Sequence, residues 1–197
     1  MVRRLVILPT IAAATFATAA AGFAAAPPDV NDQDRGFLTA LHQGNLAEIQ
    51  AGKVAERQAH SEEVREMGEA LIHDHRMLDE KVKQVAGDVG VGLPGAPGAA
   101  QQAELERISA KSGAEFDRAW VEAEIVEHRE DLAAGAKELS EGSSEEVKRL
   151  ARDAEPIVRE HLEELEEIQS GERVRASDRC RRAEDHPRPG GAVRSPG

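Results

Sequence analysis

The chain has 197 residues, enough for one domain with a substantial core and for additional segments at its ends. Only 3% of the residues are aromatic, tyrosine is absent and 31% are charged, a composition that favours helices over strands and predicts an all-α protein. The formal net charge of −12 argues against nucleic-acid binding by the folded part, because phosphate contacts need clustered lysine and arginine.

The N-terminus has the pattern of an export signal. Arg3 and Arg4 precede an uncharged, alanine-rich stretch over residues 5–26, whose small residues offer several A-x-A cleavage sites. We predict a signal peptide over residues 1–26 and a secreted, periplasmic or envelope-associated protein without a transmembrane span after cleavage. An uncleaved anchor is the alternative, because about 20 apolar residues can span a bilayer.

After a linker over residues 27–33, the spacing of apolar residues predicts a four-helix domain over residues 34–170. The predicted long helices span residues 34–59, 62–86, 114–139 and 145–169, and a shorter helix spans residues 100–111. A loop rich in glycine and proline, residues 87–98, joins the first pair of helices to the rest. Two antiparallel hairpins joined by a longer crossover are typical of a ferritin-like four-helix bundle.

The C-terminal residues 171–197 are rich in arginine, proline and glycine and have no periodic apolar residues, so we predict a disordered tail. Residues 172–197 contain seven arginines against four acidic residues, so the negative charge is concentrated in the predicted domain. The single cysteine, Cys180, lies in this tail, and an intramolecular disulfide is therefore excluded.

Four polar residues stand where each long helix would otherwise place an apolar core residue. They are Glu48, His75, His128 and His161. His75, for example, lies between Leu71 and Leu78 in an alternation of three and four residues that is typical of a buried helix face. A buried polar group without a partner costs roughly 1–3 kcal/mol, so the four groups are expected to bind one another or a shared ligand.

This set of residues predicts a metal site, because imidazole and carboxylate groups together bind Zn, Cu, Fe or Mn. Asp74, Glu124 and Glu164 are candidates for additional ligands or for acceptors that orient an imidazole. The Glu-x-x-His pattern of di-iron bundles is absent, because an aliphatic residue precedes each of the three histidines by three positions, so a mononuclear site fits better. The remaining histidines are expected to be solvated: His42, His60, His73 and His186.

Several short motifs occur in this chain in the order that they have in a known family. They are Glu48 with Gly52-Lys53-Val54-Ala55, Ser61-x-x-Val64, Asp74-His75, Leu93-Pro94, Gly113-x-x-Phe116-Asp117, His128, Pro156 and His161-Leu162. Because of these motifs, the segment of about residues 34–169 resembles the exported bacterial proteins of domain of unknown function 4142. These are ferritin-like bundles often labelled outer-membrane proteins. Trp120 departs from the family pattern, which usually has tyrosine there. The resemblance implies an exported helical bundle with a polar or metal site and no established activity.

The same four residues are compatible with two other interpretations. They could form buried pairs, Glu48 with His75 and His128 with His161, that only fix helix packing in a structural or interaction protein of the cell envelope. They could also serve a metal-dependent oxidase or peroxide-consuming enzyme, which would need an open coordination position and a substrate path. We favour a non-enzymatic metal-binding role in envelope or stress physiology, with an envelope protein as a further partner and the oligomeric state open.

Overall fold

The computed structural model describes residues 30–185, and the side chains as far as residue 171. This part contains five helices and no strand: α1 (Asp32–Gln58), α2 (Glu62–Asp88), α3 (Ala99–Ser109), α4 (Gly113–Glu141) and α5 (Glu145–Asp185). The hairpins α1–α2 and α4–α5 pack against each other, and α3 lies in the crossover against α1 and α4. The predicted all-α bundle of two hairpins is therefore confirmed.

The end of α5 differs from the sequence-based expectation. The helix continues to Asp185, whereas the sequence pattern predicted its end near Gln169 and a disordered tail from residue 171. Residues 172–185 contain neither proline nor glycine and are rich in arginine, which is compatible with a helix even without an apolar face. The predicted signal peptide, the start of the linker and residues 186–197 lie outside the described residues.

Two aspartates attach each hairpin to the turn of the other. Asp34, near the start of α1, accepts a 3.0 Å hydrogen bond from the backbone N–H of Ser144 in the α4–α5 turn. Asp117, near the start of α4, accepts 2.8 Å hydrogen bonds from the N–H groups of His60 and Ser61 in the α1–α2 turn. The Ser61 and Ser144 side chains cap α2 and α5, and the aspartates fix these capping residues, so each aspartate holds the two hairpins together.

Apolar side chains form two core clusters with a polar layer between them. The first cluster contains Met67, Phe116, Trp120 and Leu165, and the second contains Phe37, Leu38, Val82 and Leu150. Between them, the four long helices contribute six buried polar residues that we call the central polar layer: Asn45, Glu48, His75, Glu124, His128 and His161. The apolar clusters therefore keep water away from the polar layer on both sides.

The contact between α1 and α2 depends on two glycines. A Cβ atom at Gly52 would lie 2.5 Å from the carbonyl oxygen of Gly68, and a Cβ atom at Gly68 would lie 2.7 Å from the Cβ atom of Ala55. Backbone atoms cannot rotate away as a flexible side chain can, so this pair of positions has no room for a larger residue.

Gly52→Ala is therefore expected to lower the free energy of unfolding by about 1–3 kcal/mol through overpacking. Gly36→Ala is the control, because nothing lies within 4 Å of a Cβ atom at this α1 position. That change should instead stabilise the protein by about 0.4–1 kcal/mol through the reduced entropy of the unfolded chain. Urea unfolding followed by circular dichroism measures the free energy of unfolding of both variants. Equal changes in Gly52→Ala and Gly36→Ala would contradict a tight α1–α2 contact.

A buried carboxyl pair at the end of α4 makes stability depend on pH. Burial and the neighbouring Asp34 raise the pKa of Glu138 to about 7, from 4.5 for an ordinary glutamate. Although burial opposes it, hydrogen bonds from Ser143 and from the backbone of Asn31 and Ser144 lower the pKa of Asp34 to about 2. Asp34 is thus the charged member of the pair, and Glu138 keeps its proton.

The folded state therefore favours protonated Glu138, so its favourable contribution is complete below pH 4.5 and is lost as the pH rises through about 7. Glu138→Gln mimics the protonated group and should raise the melting temperature more at pH 8 than at pH 5. Calorimetry at both pH values tests this, with the exposed Glu141→Gln as the control. If Glu138→Gln changed the melting temperature equally at both pH values, Glu138 would not be the group that is protonated in the folded state.

Candidate metal centre

Three of the four predicted site residues meet in the middle of the bundle. His75 comes from α2, His128 from α4 and His161 from α5, and they are 1%, 0% and 3% exposed. The centroids of their rings are 5.4–5.7 Å apart. One ring nitrogen from each histidine lies within 4.8 Å of the other two, which is close enough for all three to bind one ion.

The opposite nitrogen of each ring faces a hydrogen-bond acceptor. The pairs are His75 Nδ1 with Asn45 Oδ1 at 2.9 Å, His128 Nδ1 with the carbonyl oxygen of Glu124 at 2.8 Å, and His161 Nε2 with Asp74 Oδ2 at 3.1 Å. A neutral imidazole carries one hydrogen, and the acceptor determines which nitrogen carries it. Each ring therefore donates outward and directs a lone pair towards the other two.

These inward lone pairs need a positive partner. His128 Nε2 and His161 Nδ1 are 3.4 Å apart, and His75 Nε2 has no hydrogen-bond partner among the described residues. Burial lowers the pKa of His75 well below its usual range and that of His128 to about 4, so both rings are neutral near pH 7. Lone pairs that face one another repel, and either a proton or a metal ion between them removes the repulsion. Three neutral imidazoles around one point are a donor set that metal sites use.

Glu48, the fourth predicted residue, lies on the other edge of the His128 ring. Its Oε1 atom is 3.7 Å from His128 Nδ1, and its oxygens group within 4.8 Å with ligand atoms of Glu124 and His128 rather than with the three-histidine group. Burial and the adjacent Glu124 raise the pKa of Glu48 well above its usual range, and burial raises the pKa of Glu124 to about 8. The predicted set of four thus divides into three converging imidazoles and Glu48, which lies beside Glu124.

The three residues predicted as additional ligands or orienting acceptors have different positions. Asp74 contacts His161, and Glu124 contributes both its carbonyl oxygen and its buried carboxyl group. Glu164 is exposed and is not part of the site, which corrects the expectation from sequence. After His161 the buried face of α5 continues at Leu165, four residues on, so Glu164 is turned towards solvent.

Sequence reasoning missed two buried polar residues of α1. Asn45 orients His75, and His42, which was expected to be solvated, is 4% exposed. His42 Nδ1 lies 2.5 Å from Asp79 Oδ1, and His42 Nε2 lies 2.9 Å from the carbonyl oxygen of Pro94, so the ring ties the crossover loop to α1 and α2. The sequence feature that could have indicated their burial is the three-residue spacing of His42, Asn45 and Glu48, which places all three on one helix face.

The fold and the centre together define a class: an all-α bundle whose buried histidine and glutamate side chains could hold a metal ion. The family model of DUF4142, a domain of unknown function, matches residues 19–168, and the chain belongs to this family. No curated protein matches the chain. None of the described helices combines the length and the hydrophobicity that crossing a membrane requires.

Two solved structures have a similar fold. A DUF305 fragment from Deinococcus radiodurans is 18% identical, and the match covers 73% of this chain and 99% of that chain with a TM-score of 0.64. A DUF305 protein from Streptomyces coelicolor, named as a presumed secreted protein, is 12% identical over 71% of this chain and 91% of that chain, with a TM-score of 0.60. At these identities the similarity concerns the fold alone.

The hydrogen bonds predict the tautomer of each histidine in the metal-free protein. At pH 8, the ring hydrogen is expected on Nδ1 of His75 and His128, where Asn45 and the Glu124 carbonyl accept it. In neutral His161 it is expected on Nε2, which faces Asp74. Long-range proton–nitrogen correlation spectra distinguish the two tautomers. A hydrogen on Nε2 of His75 would contradict the inward lone pair, and Asp74→Ala should alter the signals of His161 more than those of His75.

Proposed function

We propose that this protein binds a divalent transition-metal ion through His75, His128 and His161. The observation that carries the proposal is the convergence of three imidazole nitrogens whose opposite nitrogens are all held by acceptors. Buried polar atoms without a partner are rare in proteins. A bound ion would give all three nitrogens the same partner.

The donor set favours zinc, copper, iron or nickel over manganese. Imidazole nitrogens suit Zn, Cu, Fe and Ni, whereas Mn prefers oxygen ligands. Asp74 would act as the acceptor of a carboxylate–histidine–metal triad, because it holds the far nitrogen of His161 and makes the near one more basic. Asn45 and the Glu124 carbonyl would likewise hold the far nitrogens of His75 and His128. Three protein ligands leave a fourth position for water or a small anion.

The surroundings of the centre favour holding an ion over converting a large substrate. The three histidines are at most 3% exposed, between two apolar clusters. Together with the signal pattern of residues 1–26, this supports an exported metal-binding bundle of the cell envelope. Storage, buffering or metal-dependent stabilisation would each use such a closed centre, and an envelope partner is part of the same proposal.

Metal analysis of the untagged protein tests the proposal. After incubation with Zn²⁺ or Cu²⁺ and removal of loosely bound ions, elemental mass spectrometry should find one tightly held ion per chain. His75→Ala should lose this ion, because the centre then keeps two of its three nitrogens. His60→Ala is the matched control, because His60 is exposed in the turn before α2, and it should keep the ion.

Thermal unfolding separates metal binding from a purely structural role. An ion at 100 times its dissociation constant stabilises the folded state by about 2.7 kcal/mol, so it should raise the melting temperature of the unmodified protein clearly. His128→Ala should then lower stability much more in the metal-loaded protein than in the chelated protein. Equal loss in both, with no metal bound, would mean that the central polar layer only fixes the packing of the helices.

A further inference from the structure

A second group of acidic side chains lies beside the three histidines, between α1 and α4. Glu48 and Glu124 are 0% and 3% exposed, and Glu127 and Asp131 follow along α4 at helical spacing. All three α4 carboxylates are close enough to Glu48 to affect it electrostatically. Two buried and two partly buried carboxyl groups thus lie on one side of the bundle.

These carboxyl groups lack cationic partners among the described residues. No lysine or arginine there forms an ion pair with any of the four, and His128 Nδ1, 3.7 Å from Glu48 Oε1, donates to the Glu124 carbonyl instead. Gln101 of α3 donates a 3.1 Å hydrogen bond to Glu127 Oε1. Both oxygens of Glu48 and Oε2 of Glu124 are buried and have no hydrogen-bond partner in the part of the chain that the structure describes. Such atoms are costly unless something positive lies between them.

A cleft leads from the surface to this group. It has a volume of about 680 Å³, runs between α3 and α4, and has Glu124 and Glu127 in its wall. Ala47 and Ala51 of α1 also line it, and their small side chains leave the space in front of Glu124 open. Three basic residues line the cleft. Arg107 and Lys111 are paired with exposed glutamates, and among the described residues Arg118 forms no ion pair with the buried acids.

We propose that Glu48, Glu124 and Glu127 form a second cation position at the base of this cleft, for a hard divalent ion such as Mn²⁺. The donors are carboxylate oxygens, which suit Mg²⁺, Ca²⁺ and Mn²⁺, and water from the cleft would complete the coordination. This position is distinct from the three-histidine centre. His128 separates the two, because its Nε2 faces His161 and its Nδ1 edge faces Glu48 and Glu124.

Mn²⁺ binding measured by electron paramagnetic resonance tests this position, because free aqueous Mn²⁺ gives a strong signal that weakens on binding. The untagged protein and its His75→Ala/His161→Ala variant should both bind one Mn²⁺ per chain, since the second position does not use these histidines. Glu48→Gln/Glu124→Gln should weaken binding by at least about tenfold, as expected for the loss of metal-binding groups. Glutamine has nearly the shape of glutamate, so this variant is expected to fold.

The matched control is Glu122→Gln/Glu130→Gln, which replaces two carboxyl groups at exposed positions of the cleft. It should bind Mn²⁺ as tightly as the unmodified protein. Equal weakening in both double variants would reduce the effect to general surface charge and overturn the proposal, as would absence of Mn²⁺ binding by the unmodified protein. Loss of Mn²⁺ binding in the histidine variant would also overturn it, because the ion would then occupy the three-histidine centre. Zinc binding by each variant reports on that centre separately.

Discussion

Burial of the central polar layer is the constraint on which the rest of this bundle depends. Three imidazoles and two carboxyl groups lie in the interior of a small domain, where each unpaired polar atom costs roughly 1–3 kcal/mol. Asn45, Asp74 and the Glu124 carbonyl satisfy the outer edges of the three rings. Among the described residues, the inner nitrogen of His75 and the Glu48 carboxyl group have no hydrogen-bond partner, so protein groups compensate the polar layer only in part.

The two hairpins must keep a fixed relative position for these side chains to meet. His75 belongs to one hairpin, while His128 and His161 belong to the other, so sliding of one hairpin along the other would separate the rings. Asp34 and Asp117 oppose this, because each lies near the start of a helix in one hairpin and binds the backbone of the turn in the other. Trp120 adds a connection in the core, where its indole N–H donates to the Ala51 carbonyl at 3.2 Å.

Most of the fold could be predicted from the sequence, and so could the burial of the three histidines of the centre. The period of the apolar residues identifies both the helices and the polar positions on their buried faces. The division of the four site residues could not be predicted. It depends on the rotation of α1 about its axis, which directs Glu48 to the Nδ1 edge of His128 and not to the inner nitrogens. His42 was also missed. Its partners, Asp79 and the Pro94 carbonyl, come from distant parts of the chain, so its neighbours along the sequence do not reveal them.

The spacing on α4 explains why this centre differs from a di-iron bundle. In Glu-x-x-His the carboxylate and the imidazole bind ions at one site, because residues three apart lie on the same side of the helix. Here the glutamate comes four residues before His128, so it still lies on the same side of the helix but on the other flank of the histidine, about 100° around the axis from the position that Ile125 occupies. Glu124 therefore offers its carbonyl oxygen to the outer edge of the ring, and its carboxyl group faces Glu48. One helix thus places an imidazole beside His75 and His161 and a carboxyl group beside Glu48.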